Sequence, residues 1–306
     1  MLVPLNRQEI ELWRRAGRLA AEALAFGAPL IHVGTSYLSV VMAIEDFIRS
    51  RGGELAFPIN ISVNDTAAHD APLPGDPRCF GSEDLVKLDV GVHINGYIGD
   101  NAVTVDLSGK HQKLCLASRE ALNRAVAMAV PGTRVCDLGA EIESVIRSHG
   151  FLPVKNLGGH QMGPYKLHHG IFVPNFLNKD RQYLKEGMVL AIEPFAAENC
   201  DAVKDGDACY IFNLINKVPA RPNEVEPTLS SIKQQRGLPF SIRTIEKKLP
   251  LPLLSQQLES LAQQELIHYY PPLVTKTGCM VSQHEHTVIV ANPPIVITRE
   301  ASPREA

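Results

Sequence analysis

The sequence predicts an α+β fold in which two related α/β units, arranged about a pseudo-two-fold, surround an antiparallel sheet. Three observations carry this expectation. First, "GTSYLSVVMAIEDFIRSRGG" from Gly34 returns as "GTRVCDLGAEIESVIRSHGF" from Gly132, so that Gly-Thr, Ile-Glu, Ile-Arg-Ser and a closing Gly coincide at a constant offset of 98. Such an echo is the mark of a duplicated unit. Second, Asn95-Gly96 lies between two β-rich runs, the strongest short hairpin signal. Third, the runs before and after that hairpin carry helical periodicity with start and stop residues at their ends.

The elements follow in chain order. A first helix starts at Asn6, where Glu9 completes a capping box, and buries Ile10, Trp13, Leu19 and Leu24. A second runs from about Ser36 to Arg51 and stops at Gly52-Gly53. Residues 87–94 and 97–105 form the hairpin, in which Ile94 faces Tyr97, Gly91 faces Asp100 and Asp89 faces Ala102. Alternation then puts Leu88, Val90, Val92, Val103 and Val105 on a core-facing side, and Asp89, Gly91, His93, Asp100 and Thr104 on the other. Two more helices lie near 111–129 and 134–149, the second capped by Thr133 and closed by Gly150. In the second unit, "EGMVLAIEPFAA" (186–197) corresponds to the first hairpin strand and "VSQHEHTVIV" (281–290) to its return. An insert of roughly 60 residues separates them and reads as two helices with Pro-containing connections. The chain is therefore expected to be one catalytic domain over 1–306, with a helical subdomain at about 206–270.

Composition narrows the function. A 306-residue chain with 45% hydrophobic residues can bury a full core, and its net charge of −3 with no polybasic tail excludes binding to nucleic acid or membrane by bulk charge. No apolar run approaches the ~18 residues of a membrane span, and "MLVPLNRQEIELWRRAG" passes straight into a charged amphipathic pattern, so a cytoplasmic protein is expected. The six cysteines, Cys79, Cys115, Cys136, Cys200, Cys209 and Cys279, form no CxxC pair. That spacing argues against a zinc ribbon, and all six are expected to be reduced packing residues.

The chemistry lies in the acids. Asp89 and Asp100 point the same way as diagonal neighbours with backbones roughly 7–8 Å apart, and Gly91 opposite Asp100 leaves space between them. Carboxylates that close repel unless a proton or cation lies between them. Glu193 interrupts an apolar strand, and Glu285 lies in the return strand. The same offset sets His69 of "NDTAAHD" beside Leu167-His168 of "GGHQMGPYKLHHG", which also holds His160. Four carboxylates and one imidazole suit divalent cations, and bridging acids suit two of them.

With "FPINISVNDTAAH", "KLDVGVHINGYIGD" and its eleven-residue Asp step, "NLGGH" followed by His168, "AIEPF" and "HEHT" in this order, the chain resembles the methionine aminopeptidases over nearly its whole length. The helical insert before Glu285 is similar to that of the type II branch, and the short N-terminus to its archaeal members. The resemblance implies the pita-bread fold, with a curved antiparallel sheet, and removal of N-terminal methionine from nascent proteins and peptides with a small second residue. It implies two divalent ions (cobalt, manganese, iron or zinc), with Asp89 on one, His160 and Glu193 on the other, and Asp100 and Glu285 bridging. Glu193 would also carry the proton, His69 and His168 would contact substrate, and Phe57, Leu167 and Tyr270 would line the methionine pocket. The implied partners are N-terminal Met peptides and nascent chains at the ribosome, for a monomer with no membrane and no specific nucleic acid. His93, His169, His284 and His286 match no catalytic position and are expected to be structural or solvated.

Two other readings use the same fold. An Xaa-Pro dipeptidase shares the ligand set but usually has a large extra N-terminal domain, whereas about 55 residues precede "FPIN" here. A non-enzymatic relative that binds ribosomes or RNA loses metal ligands, and all five are present.

Overall fold

Asn6 opens the first helix, Arg7–Gly27, as the capping box requires: its side chain accepts the Glu9 N–H and the Glu9 carboxylate accepts the Asn6 N–H, both at 2.9 Å. Trp13 and Leu19 are buried, and Ile10 and Leu24 half-buried. The structure is a computed structural model and describes residues 5–215, 222–245, 251–276 and 278–299.

The duplication is written in hydrogen bonds. Gly34 donates its N–H to the Phe80 carbonyl at 2.8 Å, and Gly132 donates to Leu184 at 2.9 Å. In the helices that follow, Tyr37–Ser50 and Val135–Ser148, Arg49 pairs with Glu45 at 3.0 Å and Arg147 with Glu143 at 2.8 Å. The Ser50 and Ser148 hydroxyls donate to Phe47 and Val145 at 2.8 and 2.7 Å, and the stops Gly52 and Gly150 take φ of +76° and +86°. Unrelated amphipathic helices would share burial, not this set of side-chain bonds at one offset. The cap is a correction: Ser36 caps the first of these helices, but the offset puts Arg134 at the matching N-cap position, and Thr133 instead donates to the Met128 carbonyl at 2.8 Å.

Strands Leu85–Ile94 and Tyr97–Asp106 pair in the expected register, with Gly91 opposite Asp100 and Asp89 opposite Ala102. Asn95 and Gly96 both have positive φ, +52° and +88°, the twist a two-residue hairpin needs. The apolar side packs under the first two helices. The opposite side is not solvated: Asp100, Thr104 and His93 are buried there. Nor is the space at Gly91 open, since a Cβ there would meet Phe57 Cε1 at 2.1 Å.

In the second unit, Val189–Ile192 and Phe195–Ala197 run antiparallel to His286–Ile289 and Val281–Gln283. Ile192 faces His286 and Phe195 faces Gln283, so the ladder opens between them, at Glu193 and Glu285. The two hairpins are laced together along this line. Glu285 donates its N–H to the Ala102 carbonyl at 3.0 Å. The Thr287 hydroxyl accepts the Asp100 N–H and donates to the Asp100 carbonyl, each at 2.8 Å.

The insert adds strands to the two helices expected of it. Helices Pro222–Lys233 and Leu251–Gln263 are present, yet Ile211–Leu214 forms a three-stranded sheet with Phe240–Ser241 and Ile267–Tyr270. Strands of two to four residues are too short for period-two alternation to register. Residues 216–221 and 246–250 of the expected insert lie outside the described residues. The cysteines need a second correction: Cys200 and Cys279 form a disulfide with Cα atoms 6.5 Å apart, while the other four are free. The pair lies just beyond Ala197 and Val281, which face each other, so strand pairing and not spacing brings them together. Among the described residues, no helix is long and apolar enough to cross a membrane.

Candidate metal centre and active site

The two hairpins deliver four acids to one place. Asp89 and Asp100 come from the first, Glu193 and Glu285 from the opening in the second, and strand Gly158–Met162 brings in His160. That strand passes so close to its neighbour that a Cβ on Gly159 would meet the Ala191 carbonyl oxygen at 2.1 Å. Glycine is therefore required beside His160. One ligand atom each from Asp100, His160 and Glu285 falls within 4.8 Å of the others. His160 Nε2 is 3.7 Å from Asp100 Oδ2 and 3.6 Å from Glu193 Oε1, and all five residues line one cavity of ≈ 280 Å³.

Burial acts on these groups first. It pushes the Asp89 carboxyl up to about 7 and holds Asp100, Glu193 and Glu285 well above the usual carboxylate range, with repulsion among the acids adding to it for the last three. Burial and the neighbouring His168 hold the His160 imidazole well below its ordinary value. Asp89 Oδ1, Asp100 Oδ1, Glu285 Oε2 and His160 Nδ1 are buried without a hydrogen-bond partner. Each such atom costs about 1–3 kcal/mol. Divalent cations among the acids would satisfy the oxygens and cancel the repulsion, and oxygen donors with one imidazole are a suitable set. The residues therefore fit bound divalent metal.

The remaining expected residues surround this floor. The His160 and His168 rings meet edge-on at 4.4 Å between centroids, and Tyr270 lies 5.7 Å from His69 and 6.2 Å from His168. Phe57, Leu167 and Tyr270 line the same cavity, as do both histidines. His69 holds a left-handed φ of +65°, fixed by its N–H donating to Asn60 Oδ1 at 2.9 Å. A non-glycine residue there stores strain, a common feature of functional sites. Burial, with His168 nearby, lowers the His69 imidazole to about 4; desolvation and His268 lower that of His168. Neutral imidazoles both donate and accept.

The four histidines left aside stay outside the cavity. His284 bonds Ser118 at 2.8 Å, His286 bonds Thr298 at 3.0 Å, His93 accepts the Gly96 N–H at 3.4 Å, and His169 is exposed. Sequence reasoning missed Asn60 and Gln283, whose Nε2 donates to Glu193 Oε2 at 3.1 Å. For Asn60 the signal was a polar residue within the apolar run "FPINI"; Gln283 stands among polar neighbours and gave none.

Residues 11–220 match the metallopeptidase family M24. The chain is 38% identical over 295 residues to the methionine aminopeptidase of Methanothermobacter thermautotrophicus, a match covering 95% of this chain and 99% of that one. Among solved structures it is similar to a methionine aminopeptidase from Thermotoga maritima, with TM-score 0.72 and 23% identity over 98% of this chain and 100% of that one. It is also similar to a prolidase from Pyrococcus furiosus, with TM-score 0.61 and 20% identity over 98% of this chain and 66% of that one. These two likenesses carry the pita-bread fold.

Proposed function

The chain belongs to metallopeptidase family M24, and from that premise we propose that it removes N-terminal methionine from nascent proteins and peptides, in the manner of a type II methionine aminopeptidase. The observation that supports this most is the buried group of Asp100, His160 and Glu285 at the floor of a cavity walled by Phe57, Leu167 and Tyr270. Two divalent ions would balance the four carboxylates, with Asp89 holding one, His160 and Glu193 the other, and Asp100 and Glu285 shared. Cobalt, manganese, iron and zinc all suit such donors. When bound, such ions polarise a carbonyl and acidify water.

The chain's own residues do the rest. Glu193 takes up the proton released as the scissile carbonyl is attacked and passes it to the leaving amide nitrogen. His69 and His168, both uncharged at neutral pH, donate hydrogen bonds to the developing oxyanion or the scissile amide. Phe57, Leu167 and Tyr270 receive the flexible thioether side chain, which fills irregular apolar slots well. The chain acts as a monomer on nascent chains at the ribosome.

The test is hydrolysis of a Met-Ala-Ser peptide by the metal-stripped chain as each divalent ion is titrated back. Activity should be absent after stripping and should return with at least one of the four metals. Silence with every metal would favour a binding module, and preference for an Xaa-Pro dipeptide would favour a dipeptidase.

A further inference from the structure

Gln283 is clamped where the two hairpins meet. Its backbone N–H donates to Thr104 Oγ1 at 2.8 Å, and its carbonyl accepts that hydroxyl at 2.7 Å. The residue is 1% exposed. From this fixed base, Nε2 donates to Glu193 Oε2 at 3.1 Å, while the other oxygen, Oε1, lies 3.6 Å from His160 Nε2. The Glu193 carboxylate is thus divided, one oxygen on a neutral amide and one turned toward the imidazole. Thr104 belongs to the first hairpin and Glu193 to the second, so Gln283 is held by one half while it fixes an acid of the other.

We propose that Gln283 is a positioning residue for the metal centre: a neutral donor that occupies Oε2 of Glu193 and so leaves Oε1, on the His160 side, for the cation. The inference rests on the metallopeptidase reading. The residue type follows from the charge around it. Glutamate here would add another negative charge to a group that already repels itself, and lysine would compete with the cation for the same acids. A primary amide carries two N–H donors and no charge. Among the described residues, no other side-chain amide or hydroxyl donates to these four carboxylates. Partners of this kind orient metal ligands, and losing one typically costs about 10–100-fold in metal affinity or activity.

Gln283→Met keeps the length of the side chain and removes the donor. Mn2+ would be titrated by calorimetry into the metal-stripped wild type and variant, and turnover of Met-Ala-Ser measured at saturating Mn2+. We expect Mn2+ affinity to weaken by about 10–100-fold and kcat to fall by a similar factor, with KM changed less than about threefold. The metal-free melting temperature should stay close to wild type. Thr104→Val, which frees the Gln283 backbone but leaves the amide, should give a smaller loss in the same direction. Wild-type Mn2+ affinity and kcat in Gln283→Met would overturn the proposal, as would lost activity explained by a lower melting temperature with affinity intact. If Gln283→Met does not fold, Gln283→Asn, which withdraws the amide by one methylene, is held to the same expectations. Because Mn2+ affinity is read without substrate, a wild type that binds Mn2+ but cleaves no Met peptide would sink the functional reading alone. A wild type that binds none would sink both.

Discussion

Tyr165 donates its backbone N–H to the Gly96 carbonyl at 2.8 Å, so the hairpin tip of the first half carries the loop that presents Leu167 and His168 in the second. Gly96 has φ +88°, and a Cβ on it would strike the Tyr165 ring at 2.2 Å. Arg236 of the insert lies 4.8 Å over the centroid of that ring and donates to its hydroxyl. Gly96→Ala should therefore cost twice, through a left-handed backbone and through displacement of Tyr165. The expected loss is about 1–3 kcal/mol in urea unfolding, with a fall in kcat as His168 moves. Wild-type stability and turnover would show that the docked loop tolerates both.

Arg243 of the insert reaches across 198 residues to Glu45, pairing Nη1 with Oε1 at 3.0 Å and Nη2 with Oε2 at 3.1 Å. Both side chains are about nine-tenths buried. This two-point pair holds the subdomain that supplies Tyr270, Ile211 and Pro239 to the cavity wall. In Arg243→Met, Glu45 keeps Arg49, so the loss should be moderate, about 1–3 kcal/mol. The wall should loosen with it. Peptide titrations should show KM rising more than kcat falls, and an unchanged KM would mean the insert is held elsewhere.

His69 calls for a substitution that respects its backbone. Asparagine tolerates the left-handed region, so His69→Asn removes the imidazole without adding strain. Turnover should fall by about 10²–10³-fold, the effect of losing one oxyanion donor, while elemental analysis finds the metal content of the wild type. A vacant metal site in this variant would make His69 a ligand and contradict its assignment to substrate.

Which features were legible in the sequence was decided by range. The hairpin register was legible because two turn residues determine every pairing above them. The five metal-ligand candidates stood out because they fall in four short motifs, with Asp89 and Asp100 sharing one. What stayed hidden depends on contacts between distant segments. The space expected at Gly91 is filled by Phe57, from a segment 34 residues earlier. Gln283 stood in plain view in "VSQHEHT", but its role needs Thr104 and Glu193 beside it. The Cys200–Cys279 bond joins residues 79 apart, which no spacing rule connects.

The acids also determine how the metal-free chain responds to pH. Asp89 has a folded-state value of about 7 against an ordinary 3.8, and the other three acids are raised as well. Between those values the folded chain holds protons that the unfolded chain has released. The stability they contribute is full below the ordinary carboxylate range and is lost as pH rises, for Asp89 through about 7. In EDTA, the acids therefore favour about pH 6 over about pH 8, while the lowered imidazoles of His69, His160 and His168 favour the higher pH, so proton release on metal binding reads the acids more directly than melting does. Added Mn2+ replaces those protons, so it should stabilise more at the higher pH and release protons on binding. Mn2+ binding at about pH 6 that releases no protons in calorimetry across buffers would show that the acids hold none.

The last expectation concerns which peptides are cut, and it follows from the size of the cavity. At ≈ 280 Å³ it falls just below the roughly 300–1,000 Å³ of ligand pockets, a close fit for the first residues of a peptide. Phe57 is packed against Gly91, and the Tyr270 ring lies against both His69 and His168, so neither wall can retreat without disturbing the groups around it. Once methionine fills the apolar slot, the second residue is pressed against His69. Small second residues should therefore be accepted and bulky ones refused. For Met-Ala, Met-Thr and Met-Val peptides, kcat/KM should exceed that for Met-Leu or Met-Lys by at least about tenfold, or ~1.4 kcal/mol of transition-state discrimination. Truncating the wall in Tyr270→Ala should shrink that ratio by admitting the larger residues, even as overall turnover falls. If wild type cleaves Met-Lys as readily as Met-Ala, the second residue does not meet His69 and the wall as drawn here, and the binding pose must be wrong.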